Sequence, residues 1–501
     1  MEKLGNKPVI ASAKNYWCSW VSQWSIGKDN LVAQGIPQTY FENGSPYARA
    51  CVDENYIFGK NGFSDQFPEL RSDLFLLLDD GWDVPYVIPE SSDISAFGSV
   101  IPNAERFPSF PGAPAERLKG INDKLKEKGW RGLGLWISPT LTGEDYNKNF
   151  YDYRELHEEY WKERALWCKY AGVHYWKVDW GTHGHAGIEG IVPYRKMMSD
   201  VVKKYCPELI VEHGASTGPL NGVMGEEGKI RYADNKELAC RGSELSEFSD
   251  VLRTYDITED MLGDTTTLDR VAYYLPFAKS VINCEDALYI GAVLGCSLGV
   301  MRSHFGKNWL KINSKLDEVT AAIKWQRFAP SFIGGKFNIS KDILVDSMYF
   351  GPHDSWASEA INRLVDQAAP TVMARNTELP TVVREEKMPF VIASMNPTGV
   401  YSVAAIKRRQ FLSDTMHPTV SCNVGNPERI AVFGDFKQIK FNFDCVPKKM
   451  YVQNIIRGDE SFLDINDYID GSTVTVTQQL LDNFNSVSDL SDNAVMFRFE
   501  F

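Results

Sequence analysis

Eight short runs rich in β-branched and aromatic residues recur through the first three hundred positions of this 501-residue chain, with helix-patterned stretches between them. They are Tyr16–Val21, Leu74–Asp79, Gly132–Ile137, His174–Asp179, Glu208–Glu212, Val251–Asp256, Ser280–Asn283 and Leu298–Ser303. Pro114–Lys128 carries Leu118, Ile121 and Leu125 on one helical face, opens near a proline and stops at Gly129. Tyr153–Tyr170, Tyr194–Tyr205 and Leu316–Phe328 read as further helices. Parallel neighbours need a crossover between them, and a helix is the usual one. Eight such strands are the number that closes a barrel, so the expected fold is α/β, a (β/α)8 TIM barrel.

The pattern changes near residue 370. Val372–Pro380 reads as a linker, and beyond it short alternating runs such as Phe390–Ser394, Val400–Ala405, Arg429–Phe433, Gln438–Phe443 and Val474–Thr477 are separated by turn residues. The expected division is a catalytic barrel over residues 1–375 and a C-terminal all-β sandwich over residues 380–501. Residues 22–73 and 83–113 are long connections after strands 1 and 2, rich in Gly, Pro, Ser and aromatics. Insertions there lie on the catalytic face of a barrel, so they are expected to wall the pocket.

Charge and composition narrow the partners. A net charge of −13 disfavours nucleic acid, and the densest basic cluster, Lys407-Arg408-Arg409, reads as a solvated loop or strand edge. No window approaches the roughly 18 apolar residues of a membrane span. The start Met1-Glu2-Lys3-Leu4-Gly5-Asn6-Lys7 is not followed by an apolar leader segment. The expectation is a soluble protein with no membrane partner, cytoplasmic, or periplasmic or secreted if a leader was trimmed. Nine cysteines without CxxC spacing read as small buried residues. No cofactor is expected, and the oligomeric state stays open.

Candidate chemistry sits at strand ends. Asp179 and Asp256 each close an apolar run, and a carboxylate at the carboxyl end of a barrel strand points into the mouth. A pair there is the equipment for breaking a glycosidic bond. Lys177 lies two positions before Asp179, so both project to the same side, and its ammonium favours an ionised Asp179. Asp79-Asp80-Gly81-Trp82 ends strand 2 with two acids suited to gripping sugar hydroxyls, or else with a turn and an Asp helix cap. Arg253 and Asp256 share strand 6 but fall on opposite faces of an ideal strand, so both reach the site only if the strand end bends. Asp250 and Asp260 compete with Asp256 for the acid/base role.

In this order the segments resemble clan D glycoside hydrolases, the α-galactosidases of families 27 and 36. Trp17-Cys18-Ser19-Trp20 is similar to their first-strand motif, Asp79-Asp80-Gly81-Trp82 to the second and Gly134-Leu135-Trp136-Ile137-Ser138-Pro139 to the third. Lys177-Val178-Asp179 matches their Lys-x-Asp, and Asn283-Cys284-Glu285-Asp286 resembles the seventh-strand Asn-Asp-Pro-Asp. The likeness covers roughly residues 10 to 305. Arg253-Thr254-Tyr255-Asp256 is one residue shorter than the Arg-x-x-x-Asp common in family 27, and Glu212-His213-Gly214-Ala215 matches the recognition loop of neither family.

The resemblance implies retaining hydrolysis of terminal α-galactosidic linkages in an oligosaccharide or glycoconjugate. Asp179 would be the nucleophile and Asp256 the acid/base. Asp79, Asp80, Lys177, Glu212 and Arg253 would hold hydroxyls, and Trp17, Trp82 and Trp136 would offer apolar platforms, tryptophans on barrel strands being otherwise core. α-N-acetylgalactosaminide and β-L-arabinopyranoside share the axial O4, and Glu212 suits a free 2-hydroxyl better than an acetamide. Three other readings stand beside this one. His183-Gly184-His185 with His213 suggests a metal-dependent barrel hydrolase, while a transglycosylase or a non-catalytic carbohydrate-binding protein would use the same residues.

Overall fold

The computed structural model describes residues 13–34, 45–86, 96–214, 229–230, 236–254, 267–268, 270–302, 316–340, 364–365, 370–383, 389–406, 417–457, 462–484 and 494–501. Eight parallel strands form a closed barrel: β1 (Tyr16–Cys18), β2 (Phe75–Leu78), β3 (Gly132–Ile137), β4 (Tyr175–Val178), β5 (Ile210–Gly214), β6 (Val251–Arg253), β7 (Val281–Glu285) and β8 (Ser297–Val300). Each pairs with the next, and β8 closes on β1 through Tyr16 opposite Gly299 and Trp17 opposite Val300.

The helices form where spacing and punctuation place them. Pro114–Glu127 buries Leu118, Ile121 and Leu125, and the Glu116 carboxylate accepts the Ala113 N–H at 2.9 Å to cap the first turn. Arg154–Ala171 ends at Gly172, whose φ of 65° lets its N–H turn back onto the last carbonyls.

Alternation along each short strand sorts the barrel into two layers. Tyr16, Cys18, Phe75, Leu77, Trp136 and Tyr175 pack together in the lumen. Trp17, Leu76, Leu135, Trp176, Val211, Leu252, Ile282 and Leu298 face outward and join the helices in the larger core. β1 is shorter than its sequence suggests, because Ser19 turns the chain and a helix begins at Trp20. The Ser19 N–H still donates to Leu77 O at 3.1 Å, and its hydroxyl accepts the Asp79 N–H at 2.9 Å.

The C-terminal region holds two sheets, one of eight strands and one of five. Val391, Val403, Val432 and Phe497 of the larger sheet meet Ile439, Phe441, Val474 and Val476 of the smaller one in a shared core, which makes a sandwich. The other face of the larger sheet presents Phe390, Ile392, Ala404 and Phe433 to the barrel's helices, where Phe433 lies 4.7 Å from Tyr289. Val372–Arg375, expected as the start of a linker, is instead a strand of this sheet, paired with Phe390–Met395 and with Phe337–Ile339. Its Arg375 clamps the two regions, donating to Leu294 O at 2.7 Å and Phe332 O at 2.8 Å.

Candidate active site

The carboxyl end of the barrel gathers charge. Asp179, the first residue beyond β4, accepts from Arg253 on Oδ1 at 2.6 Å and from the Trp136 indole on Oδ2 at 2.9 Å. Its side chain is 17% exposed, against 1% for Arg253, so the carboxylate is the part of this pair that an incoming molecule can reach. Two hydrogen bonds use half of its roughly four lone-pair sites and leave the rest for chemistry. Gly214 makes this possible, since a Cβ there would lie 2.4 Å from the Arg253 guanidinium. Gly214→Ala is therefore expected to push Arg253 off Asp179 and to lower about 10²-fold the kcat of any reaction that Asp179 carries. Because the clash involves a flexible tip, the melting temperature should change little; kinetics beside a thermal melt check both.

Beneath Asp179 lies a continuous ionic cluster. Lys177 bridges Asp79 Oδ2 at 3.0 Å and Glu285 Oε1 at 3.1 Å, and Cys18 donates its thiol to Asp79 Oδ2 at 3.0 Å. Tyr16 donates to Glu285 Oε1 at 2.5 Å, and Tyr175 to Glu212 Oε2 at 2.7 Å. Asp80 is held from the loop after β1 by Arg49 at 2.9 Å, and its Oδ1 has no partner among the described residues. Arg49 stacks 4.8 Å from Phe97 and 5.6 Å from Trp180. Phe97, Trp136 and Trp180 form an aromatic wall beside Asp179, with Trp180 partly exposed and 5.5 Å from Trp136.

The environment separates the acids. Burial alone would raise the Asp179 carboxyl, but the charges of Arg253 and Lys177 and the bonds from Trp136 and Arg253 outweigh it and hold it at about 2. Burial lowers the Lys177 ammonium, yet Asp79, Cys18 and Glu285 reverse this and raise it well above its usual value. Burial, with repulsion from Glu285, pushes Glu212 up to about 7. Burial also pushes Asp80 and Asp286 up to about 7, although Arg49 and Arg302 oppose it, and Asp83 up to about 6. Acids raised on folding add stability that is full below their unfolded values near 4 and is lost as pH rises through the folded ones. Buried His183 and His213, held well below their usual value by desolvation, oppose this by adding stability as pH rises through about 6.5. With more acids raised than histidines lowered among these groups, the thermal midpoint is expected to fall by a few degrees between about pH 5 and pH 8, which calorimetry across that range will show.

The structure brings Asp79, Asp80, Trp136, Lys177, Asp179 and Arg253 to one end of the barrel. It corrects other assignments. Trp17 faces outward against Phe63 and Trp130, its indole donating to Arg302 O, because it alternates with the lumen residues Tyr16 and Cys18. Trp82 is likewise sealed in the outer core, donating to Trp136 O at 3.0 Å. Neither is a sugar platform. Glu212 is fully buried, level with Lys177 and taken up by Tyr16 and Tyr175, so it is not placed to grip a 2-hydroxyl. Asp250 lies at the opposite end of β6, paired with Lys203, and drops out as an acid/base. Asp256 and Asp260 lie outside the described residues, as does Lys407-Arg408-Arg409.

His183, His185 and His213 do not assemble a metal centre. Arg195 donates to His183 Nε2 at 3.1 Å and approaches His213 Nδ1 at 3.5 Å, so a guanidinium stands where a metal would. His185 instead reaches Tyr146 O. Among the described residues no group of three His, Cys, Asp or Glu could hold a metal ion, and no helix is long and apolar enough to cross a membrane. Sequence reasoning missed Tyr16, Arg49, Tyr175, Trp180 and Glu285. Counting in twos from Cys18, Lys177 and Asn283 would have found Tyr16, Tyr175 and Glu285, because those pairs share a strand face.

No protein-family model and no curated protein matches the chain. Solved structures overlap it loosely. A family 27 β-L-arabinopyranosidase from Geobacillus stearothermophilus shares 10% identity over 90% of this chain and 94% of its own, with a TM-score of 0.45. An α-galactosidase from Saccharomyces cerevisiae, 10% identical over all of both chains, scores 0.41. An Anoxybacillus α-amylase, 9% identical over 99% of this chain and 100% of its own, scores 0.43. Such overlaps decide nothing about activity, which must be argued from the site.

Proposed function

We propose that this protein is a retaining glycoside hydrolase acting on terminal α-galactosidic linkages, with Asp179 as the nucleophile. The observation that carries the reading is Asp179 itself: a carboxylate at the end of β4, fixed by Trp136 and Arg253, held ionised at about 2 and partly open to the mouth. A nucleophile so acidic stays charged at any working pH and leaves readily when water displaces it in the second step. Asp256, three residues past β6, is the proposed acid/base that protonates the leaving oxygen and then deprotonates water. Trp180, partly exposed and packed on the buried Phe97 and Trp136, offers an apolar face for the ring. Since Glu212 is occupied elsewhere, galactose rests on the sequence resemblance alone.

The test is a panel of nitrophenyl α-galactoside, α-N-acetylgalactosaminide and β-L-arabinopyranoside, with the first-formed anomer read by NMR. Hydrolysis of the α-galactoside with retention supports the reading; inversion, or no hydrolysis of any of the three, overturns it. A chelator should leave the rate unchanged. Asp256→Ala should spare the first step on substrates whose leaving group needs no proton, leaving them limited by the slowed second step, and abolish turnover of the rest.

A further inference from the structure

Two carboxyl groups deep in the barrel share one phenol, and the protons do not suffice unless one acid is neutral. The Tyr16 hydroxyl lies 2.5 Å from Glu285 Oε1 and 3.2 Å from Glu212 Oε1, and it has a single proton to give. Lys177 at 3.1 Å and Arg253 at 3.9 Å also face Glu285 Oε1, so that acid is the ionised one and takes the phenol proton. Tyr175 already donates to the other oxygen of Glu212. With the phenol proton aimed at Glu285 at 2.5 Å, the 3.2 Å contact to Glu212 Oε1 is at best the long arm of a shared donor, and it becomes a full hydrogen bond when Glu212 brings the proton. The close approach is built in, since a Cβ at Gly299 would come within 2.8 Å of both Glu285 Cγ and the Tyr16 oxygen.

We infer that Glu212 and Glu285 share protons through Tyr16 as a neutral acid and an anion, and that Glu285 is thereby a positioning residue that holds Lys177 and Arg253 in register with Asp179. This rests on the proposed role of Asp179. The groups facing the pair are Tyr16 and Cys18 from β1, Asp79 beyond β2, Tyr175, Lys177 and Asp179 on or beside β4, and Arg253 from β6. Asp286 next to Glu285 is turned to Arg302 at 3.0 Å. Lys177 and Arg253 thus meet Asp79, Asp179 and Glu285 while Glu212 is neutral. Ionising Glu212 adds a further anion, which competes with Glu285 for the Tyr16 proton and loosens the hold on Lys177 and Arg253. The raised value of Glu212, about 7, agrees with the proton count.

Two measurements on the full-length protein test this. In difference infrared spectra, wild type against Glu212→Gln, a carboxylic acid band should be present near pH 6 and fade as pH rises through about 7. No such band overturns the shared proton. In kinetics, Glu285→Gln should lower kcat about 10²-fold per folded molecule with KM changed less than about 3-fold, the mark of a displaced reacting group. A purely structural Glu285 would reduce yield or melting temperature and leave kcat intact, which overturns the positioning role. The infrared arm needs no turnover, so a protein without glycosidase activity refutes the proposed function while the band still judges the pair.

Discussion

Asp179→Ala is expected to lower turnover at least about 10⁴-fold on every glycoside the protein cleaves, with the fold intact. The side chain is the only one of the cluster with appreciable exposure, and its removal leaves Arg253 still beside Glu285, so no charge is stranded in the core. The loss should fall on kcat, because in the proposed mechanism the carboxylate forms its bond in the transition state. Kinetics with an activated nitrophenyl substrate, alongside a thermal melt, check this. Rates within tenfold of wild type would sink the assignment.

Lys177→Met is expected to cost about 3–5 kcal/mol in denaturant unfolding, since it removes the cation that Asp79 and Glu285 share in a buried ionic cluster. Lys177, Asp79 and Glu285 expose 2%, 4% and 1% of their side chains, so water has little access to repair the loss. Magnitude separates this from a surface pair. Lys196 and Asp200 are 56% and 61% exposed, and Lys196→Met should change stability by less than about 1 kcal/mol. Equal effects from the two variants would mean that the lumen is wetter than its burial implies.

The barrel was legible because its signals are local. Eight runs of β-prone residues fall on the eight observed strands, and Pro114, Gly129 and Gly172 punctuate the helices where spacing says they should. Lys177 and Asp179 followed from the period of a strand. What failed depended on the third dimension. Trp17 and Trp82 look like sugar platforms by residue type, but strand parity turns the first outward and the loop after β2 buries the second. Glu212 resembles a hydroxyl ligand until its depth beside Tyr16 and Tyr175 is known. Arg49 reaches Asp80 from a connection with no periodic pattern, so nothing in the text of the chain could pair them. Val372–Arg375 passed for a linker because its partners, Phe337–Ile339 and Phe390–Met395, flank it at a distance in sequence.

In the proposed mechanism Asp179 forms a covalent bond to the sugar. Incubating the protein with a 2-deoxy-2-fluoro α-galactosyl fluoride and mapping the product by peptide mass spectrometry tests it directly, because the fluorine slows release of a covalent intermediate. The prediction is one added sugar on the peptide that carries Asp179, absent from Asp179→Ala. A label on another carboxylate, or none from an enzyme that turns over the galactoside, would contradict it.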